Sequence, residues 1–173
     1  MRLFYEFTIL NSVLFVGLLS AWDLGILQII YETDVSRITV IQSCLFVLVW
    51  LWEFVLARKI AISIAQPGSK WHPDTKKLLR SQHQFKTIQF LSQSLVALGL
   101  LGTVIGFAFA MQAIDPDSAG DVDKAGEMIG ILGAGLGVAF YTTIVGAVLG
   151  LWIDFNRRLI EHRIEAFQWG NST

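Results

Sequence analysis

The sequence predicts an all-α membrane protein with four transmembrane helices, and three observations predict it. The composition is 54% hydrophobic and 16% charged, against about 25% charged in an ordinary soluble domain. The apolar residues are gathered into runs at 7–30, 38–57, 87–114 and 128–153, and about 20 apolar residues of helix cross a bilayer core about 30 Å thick. The first run carries one charge, Asp23, the second carries one, Glu53, and the other two carry none. The third observation is the placing of the basic residues. Arg58, Lys59, Lys70, Lys76, Lys77, Arg80 and Lys86 lie between the second and third runs, and Arg157, Arg158 and Arg163 follow the fourth. Beyond the other ends of the runs only Arg37 and Lys124 are basic. The positive-inside rule then puts both termini and the middle loop in the cytoplasm, with the short loops 31–37 and 115–127 outside.

Span one (7–30) is apolar all round, through Leu14, Phe15, Val16, Leu18 and Leu19, and reads as a lipid-facing helix. It is not read as a cleavable signal peptide, because no small-residue cleavage site follows it and Glu6 interrupts the basic start. Asp23 marks its outer end or a kink. Span two carries Phe46, Trp50, Trp52 and Phe54 toward its cytoplasmic end, where aromatic rings suit the membrane interface. The middle loop breaks at Gln66-Pro67-Gly68, resumes as an amphipathic helix after Pro73 and runs directly into span three. This basic loop suits contact with anionic membrane lipids. The lone Cys44 excludes an intrachain disulfide.

Spans three and four differ in kind. Gly99, Gly102, Thr103, Gly106 and Ala110 fall on one face of span three, and Ala139, Thr143, Gly146 and Gly150 on one face of span four. Small residues let helix backbones approach closely in lipid. The plain interpretation is close packing, with Thr103, Thr142 and Thr143 bonding back to carbonyls a turn earlier. The sharper one is a pore wall, in which small side chains leave room and hydroxyls hold an ion or water. Neither span has an acidic residue at its middle, so a transported proton would need a carboxylate from another polypeptide.

These residues carry a family resemblance. The run Leu98-Gly99-Leu100-Leu101-Gly102-Thr103-Val104-Ile105-Gly106 resembles the start of the MotA/TolQ/ExbB channel domain, and Ala139-Phe140-Tyr141-Thr142-Thr143-Ile144-Val145-Gly146 resembles its second signature. Asn156 is similar to the Asn at the inner end of the last helix in ExbB-like members. The resemblance implies a homopentamer in the bacterial inner membrane around two copies of a MotB/TolR/ExbD-like single-span partner, whose aspartate takes the proton. It makes Thr103 and Thr143 the pore hydroxyls, while Thr142 has no secure family counterpart. The chain then divides into a two-helix transmembrane hairpin (1–58), a basic cytoplasmic segment (59–87), channel-like helices (88–160) and a cytoplasmic tail (161–173). Two helices ahead of the channel pair look like the MotA arrangement. The cytoplasmic loop is far shorter than MotA's torque-bearing domain, however, and spans three and four lack the proline of MotA-like proteins. The load therefore stays open between flagellar rotation, Tol- or Ton-type energisation, gliding and phage defence.

Other polar residues are weighed against plainer roles. Glu53 is an ionisable group within a span, a functional candidate by default, yet close enough in sequence to Arg58 to pair with it at the interface. Asp154 ends the small face of span four, as a cytoplasmic-side cation group or as an anchor paired with Arg157 or Arg158. Asp115, Asp117, Asp121 and Asp123 lack the glycine and distal acid of a calcium loop and read as a solvated turn. His72, His83 and His162 lack metal-ligand spacing, and no nucleophile–base set or phosphate loop is present. No cofactor, enzymatic activity or nucleic-acid partner is expected. The expected function is a proton-channel subunit, with sodium as the second choice of ion. The alternatives are a non-conducting scaffold for a partner membrane protein and a self-sufficient transporter, which would need an acid deep in its own bundle.

Overall fold

A computed structural model of the protein describes residues 2–34, 36–65, 75–112, 114 and 122–170. Among them the chain is all helical: α1 (Arg2–Asp23), α2 (Ile26–Thr33), α3 (Ile38–Ala65), α4 (Thr75–Gln112) and α5 (Val122–Gly170). Four helices, α1, α3, α4 and α5, are long and apolar enough to cross a membrane. The predicted break at Gln66-Pro67-Gly68 and the acidic residues Asp115, Asp117 and Asp121 lie outside the described residues, as does the side chain of Asp123.

The first span is shorter than its apolar run. α1 stops at Asp23, and Gly25 takes the left-handed conformation at φ 74°, which glycine adopts without the Cβ clash of other residues. The run's last residues start the separate helix α2. Asp34 then receives the chain into α3: its carboxylate accepts the Thr39 N–H at 2.7 Å and the Thr39 hydroxyl.

α4 runs unbroken from Thr75 into its span, as the amphipathic pattern predicts. α5 extends farther than predicted in both directions. Its 49 residues at 1.5 Å rise make a rod of roughly 70 Å, well over the bilayer core. The sequence Asp154 to Gln168 continues the helix as a charged amphipathic stretch, so the expected tail begins as helix.

The bundle is built on the α4–α5 hairpin, the most extensive helix contact, with α3 laid against both. α1 is peripheral: 11% of its span is buried, against 39% for α5. It is nevertheless not apolar all round. Phe7 and Asn11 are buried and turn toward α3 and α5. The apolar core joins Phe7, Phe46, Val49, Leu56, Ile88, Leu95, Leu149 and Ile153 toward one end of the bundle. Lipid solvates apolar side chains as well as protein does, so close packing and interhelical hydrogen bonds must hold such helices together.

Candidate functional site

The small faces of α4 and α5 meet each other. A Cβ on Gly106 would lie 2.6 Å from the Gly135 carbonyl and 2.7 Å from the Ala139 nitrogen, and one on Gly135 would lie 2.7 Å from the Ala110 nitrogen. At Gly99 the nearest atom would be the Thr142 carbonyl at 2.9 Å; at Gly150, the Ser92 carbonyl at 2.9 Å. These obstacles are backbone, which cannot rotate aside. Gly102 instead receives the Thr142 side chain, whose hydroxyl would collide with an added Cβ. Ala110 and Ala139 are buried in the same seam.

Close approach exposes carbonyls of one helix to hydroxyls of the other. The Thr103 and Thr143 hydroxyls touch each other across the seam. Thr103 also reaches the Gly99 carbonyl at 3.1 Å and the Ala139 carbonyl at 3.3 Å, and Thr143 reaches the same two at 3.2 and 3.0 Å. Each hydroxyl has one proton to donate and two lone pairs, so the two share a small set of acceptors and can exchange donor and acceptor roles by rotation. Thr142, one residue before Thr143, points about 100° away round the helix. It is fully buried, and its hydroxyl donates to the Val138 carbonyl at 2.9 Å.

From the hydroxyl pair a polar-edged face continues along the hairpin. Gly150 and Asp154 follow Thr143 by about two and three turns, and Val96, Ser92 and Gln89 precede Thr103 at similar spacing. A shallow, mainly apolar groove of about 410 Å³ opens beside it, lined by Val96, Ala97, Leu100 and Leu151 and edged by Gln89, Ser92, Gln93, Gly150, Asp154 and Arg158; neither Thr103 nor Thr143 lines it. Ser92 donates across the seam to the Gly150 carbonyl at 3.0 Å. Asp154 is held by both arginines, 2.8 Å from Arg157 Nη2 and 2.8 Å from Arg158 Nε. Arg157 also pairs with Glu161, and Arg163 with Glu6 of α1.

Glu53 is elsewhere. It does not turn toward Arg58; it is fully buried on the face of α3 that packs into the bundle. The Asn156 carboxamide faces its carboxyl, and Arg157 and Asp154 lie within electrostatic reach, but no hydrogen bond to either oxygen is closed.

Two polar anchors escaped the sequence reading. The amide of Gln42 on α3 inserts between α4 and α5 and donates to the Leu95 and Thr142 carbonyls, both at 3.2 Å. Gly146 makes the room: a Cβ there would lie 2.5 Å from Gln42 Nε2. Asn11 ties α1 into the bundle. Its carbonyl oxygen accepts from Trp50 Nε1 at 2.8 Å, Trp152 Nε1 at 3.1 Å and Asn156 Nδ2 at 3.1 Å. The one available signal was an amide within a mostly apolar run, since such groups face protein rather than lipid. Asn11→Leu strands three donors at once, and a buried donor without a partner costs about 1–3 kcal/mol. The expected loss is roughly 2–4 kcal/mol of unfolding free energy by thermal unfolding of the purified chain. Ser12→Ala, at an exposed neighbour, should leave the transition unchanged.

Four span-capable helices, with a glycine-closed, hydroxyl-bearing pair at their centre, define an all-helical multi-pass membrane protein. Comparison with known families then places it: the sequence model of the MotA/TolQ/ExbB proton channel family matches residues 74–168, and the chain belongs to that family. No curated protein and no solved structure matches the chain. The matched segment covers α4 and nearly all of α5, the two helices that carry the threonines and the glycine seam.

Proposed function

We propose that the chain is the ion-channel subunit of a motor or energy-transducing complex in the inner membrane, with both termini cytoplasmic. Five copies enclose two copies of a single-span partner, and an aspartate on the partner's helix carries the proton. The hairpin 1–58 braces the outside of the ring, and the helices within 88–160 form its conducting wall. The observation that carries this is the Thr103–Thr143 hydroxyl pair: it bridges the two family helices and stays partly open, with Gly150 and Asp154 about two and three helical turns further along α5.

Chemically the pair suits a proton route. A hydroxyl that can be donor or acceptor hands a hydrogen bond along without leaving a buried group unpaired. Thr142, shut beneath Gly102, holds the seam in register, and Asp154 offers a charged exit at the cytoplasmic end. Gly99, Gly102, Gly106, Ala139, Gly146 and Gly150 keep the wall thin. One charge crossing the membrane is worth about 2.3 kcal/mol per 100 mV, which drives rotation of the partner inside the ring. Sodium is the second choice of ion. Swimming, envelope energisation, gliding and phage defence each remain compatible loads.

A scaffold without conduction has one observation in its favour: all three threonine hydroxyls already have carbonyl acceptors inside the chain. The two are separated in proteoliposomes holding the chain with its single-span partner, under an imposed membrane potential, with an internal pH-sensitive dye. Conduction predicts dye acidification that Thr143→Ala removes. A scaffold predicts no potential-driven proton entry with either protein.

A further inference from the structure

Glu53 is the buried ionisable group that the hydroxyl face leaves unused. Its neighbours on the same face of α3, Val49, Leu56 and Ala57, belong to the apolar core. Both carboxyl oxygens are sealed from solvent with no hydrogen-bond partner. A carboxylate buried that way is far more costly than a carboxylic acid unless a cation and several donors surround it. Among the described residues the cation that acts on it is Arg157, which is bonded to Asp154 and Glu161 instead.

The facing groups can be taken element by element. α5 presents Asn156, with Arg157 and Asp154 behind it. α1 presents Asn11, whose carbonyl oxygen already accepts from three donors, while its Glu6 is engaged by Arg163. On α4, Phe85 and Ile88 are buried in the core and Lys86 is exposed. The group facing the carboxyl is therefore a carboxamide. A carboxamide gives an N–H and takes an O–H, the complement of a neutral acid, which offers one of each. Asn156 Nδ2 spends one hydrogen on Asn11 and its Oδ1 accepts from Asn11 Nδ2 at 3.4 Å, leaving its second hydrogen and one lone pair for Glu53. A hard cation such as calcium takes about six to eight oxygen ligands, and this junction offers no such cage.

We infer that Glu53 is an exchangeable proton-binding site in the chain's own interior, at the junction of α1, α3 and α5. It is separate from the threonine pair: Asn156 lies roughly 140° round α5 from Thr143. It belongs to the single chain and does not rest on the ring-and-partner arrangement.

Infrared spectroscopy of the full chain in lipid nanodiscs tests this directly, because protonated and ionised carboxyls absorb separately. At neutral pH the wild-type chain should show a carboxylic C=O band that shifts in D₂O, fades as pH rises and is missing from Glu53→Gln. Labelling the glutamate side chains with ¹³C moves that band and assigns it to a glutamate; if Glu53→Gln does not fold, Glu53→Asp in the labelled chain assigns the site, because the band should then no longer move with the label. A neutral-pH spectrum with no glutamate C=O band overturns the inference. So does a band that survives Glu53→Gln in a folded chain, or one indifferent to both D₂O and pH.

Discussion

Thr143→Ala, in a complex assembled with the proposed single-span partner, should lose about 10- to 100-fold of its ion-driven activity while the complex still forms. The magnitude follows from removing one hydroxyl on the proposed path. A hydrogen bond to a charged group contributes about 1.5–3 kcal/mol, and about 1.4 kcal/mol is tenfold in rate. Thr103→Ala should do the same, and the double variant should cost much less than the product of the two. The hydroxyls touch each other and share the Gly99 and Ala139 carbonyls, and residues in one network are not additive. Thr143→Ser keeps the hydroxyl and should retain most activity. Proton flux into proteoliposomes reads all four variants, and co-purification with the partner reads assembly. Equal loss of assembly and flux would instead make the threonines packing residues.

Gly106→Leu should prevent the chain from accumulating as a folded protein. Even a Cβ at Gly106 would meet the Gly135 carbonyl at 2.6 Å, and a backbone obstacle yields only if α4 and α5 separate. Overpacking in a close-packed interior costs about 1–3 kcal/mol where side chains can adjust, and here they cannot. Gly106→Ala should already lower the thermal transition measurably. Gly17→Leu on α1 is the control: an added Cβ there meets nothing within 4 Å, so stability should hold or rise with better helix propensity. Size-exclusion profiles and thermal unfolding in one detergent compare the three. A tolerated Gly106→Leu would mean that the α4–α5 seam is looser than described.

The contrast between these glycines shows what a sequence pattern carries. The spans were legible because crossing a bilayer imposes a length and a polarity that few other structures share. The α4–α5 seam was legible because its small residues recur at helical spacing, and the family motifs lie on those same residues. Positions occupied by a single polar side chain were not. Asn11 and Gln42 disappear in the average over an apolar run, and one residue has no period that reveals its direction. Glu53 was misplaced for a related reason. Five residues separate it from Arg58, a rotation of about 140°, so sequence proximity put them on opposite sides of α3. The break after Asp23 was legible as an outer end or a kink, because a charge interrupts the apolar run there; the helix beyond it was not, because α2 is as apolar as the end of α1 and only the left-handed turn at Gly25 divides them. The length of α5 was hidden because its last turns are charged, so apolarity ends near Ile153 while helix continues to Gly170.

The most direct measurement is the structure of the chain assembled with its partner in a lipid nanodisc. Thr103 and Thr143 are expected to line a central cavity, with the proposed partner's carboxylate opposite them. Finding those two hydroxyls against acyl chains at the outer surface, with no cavity on their side of the hairpin, would contradict this.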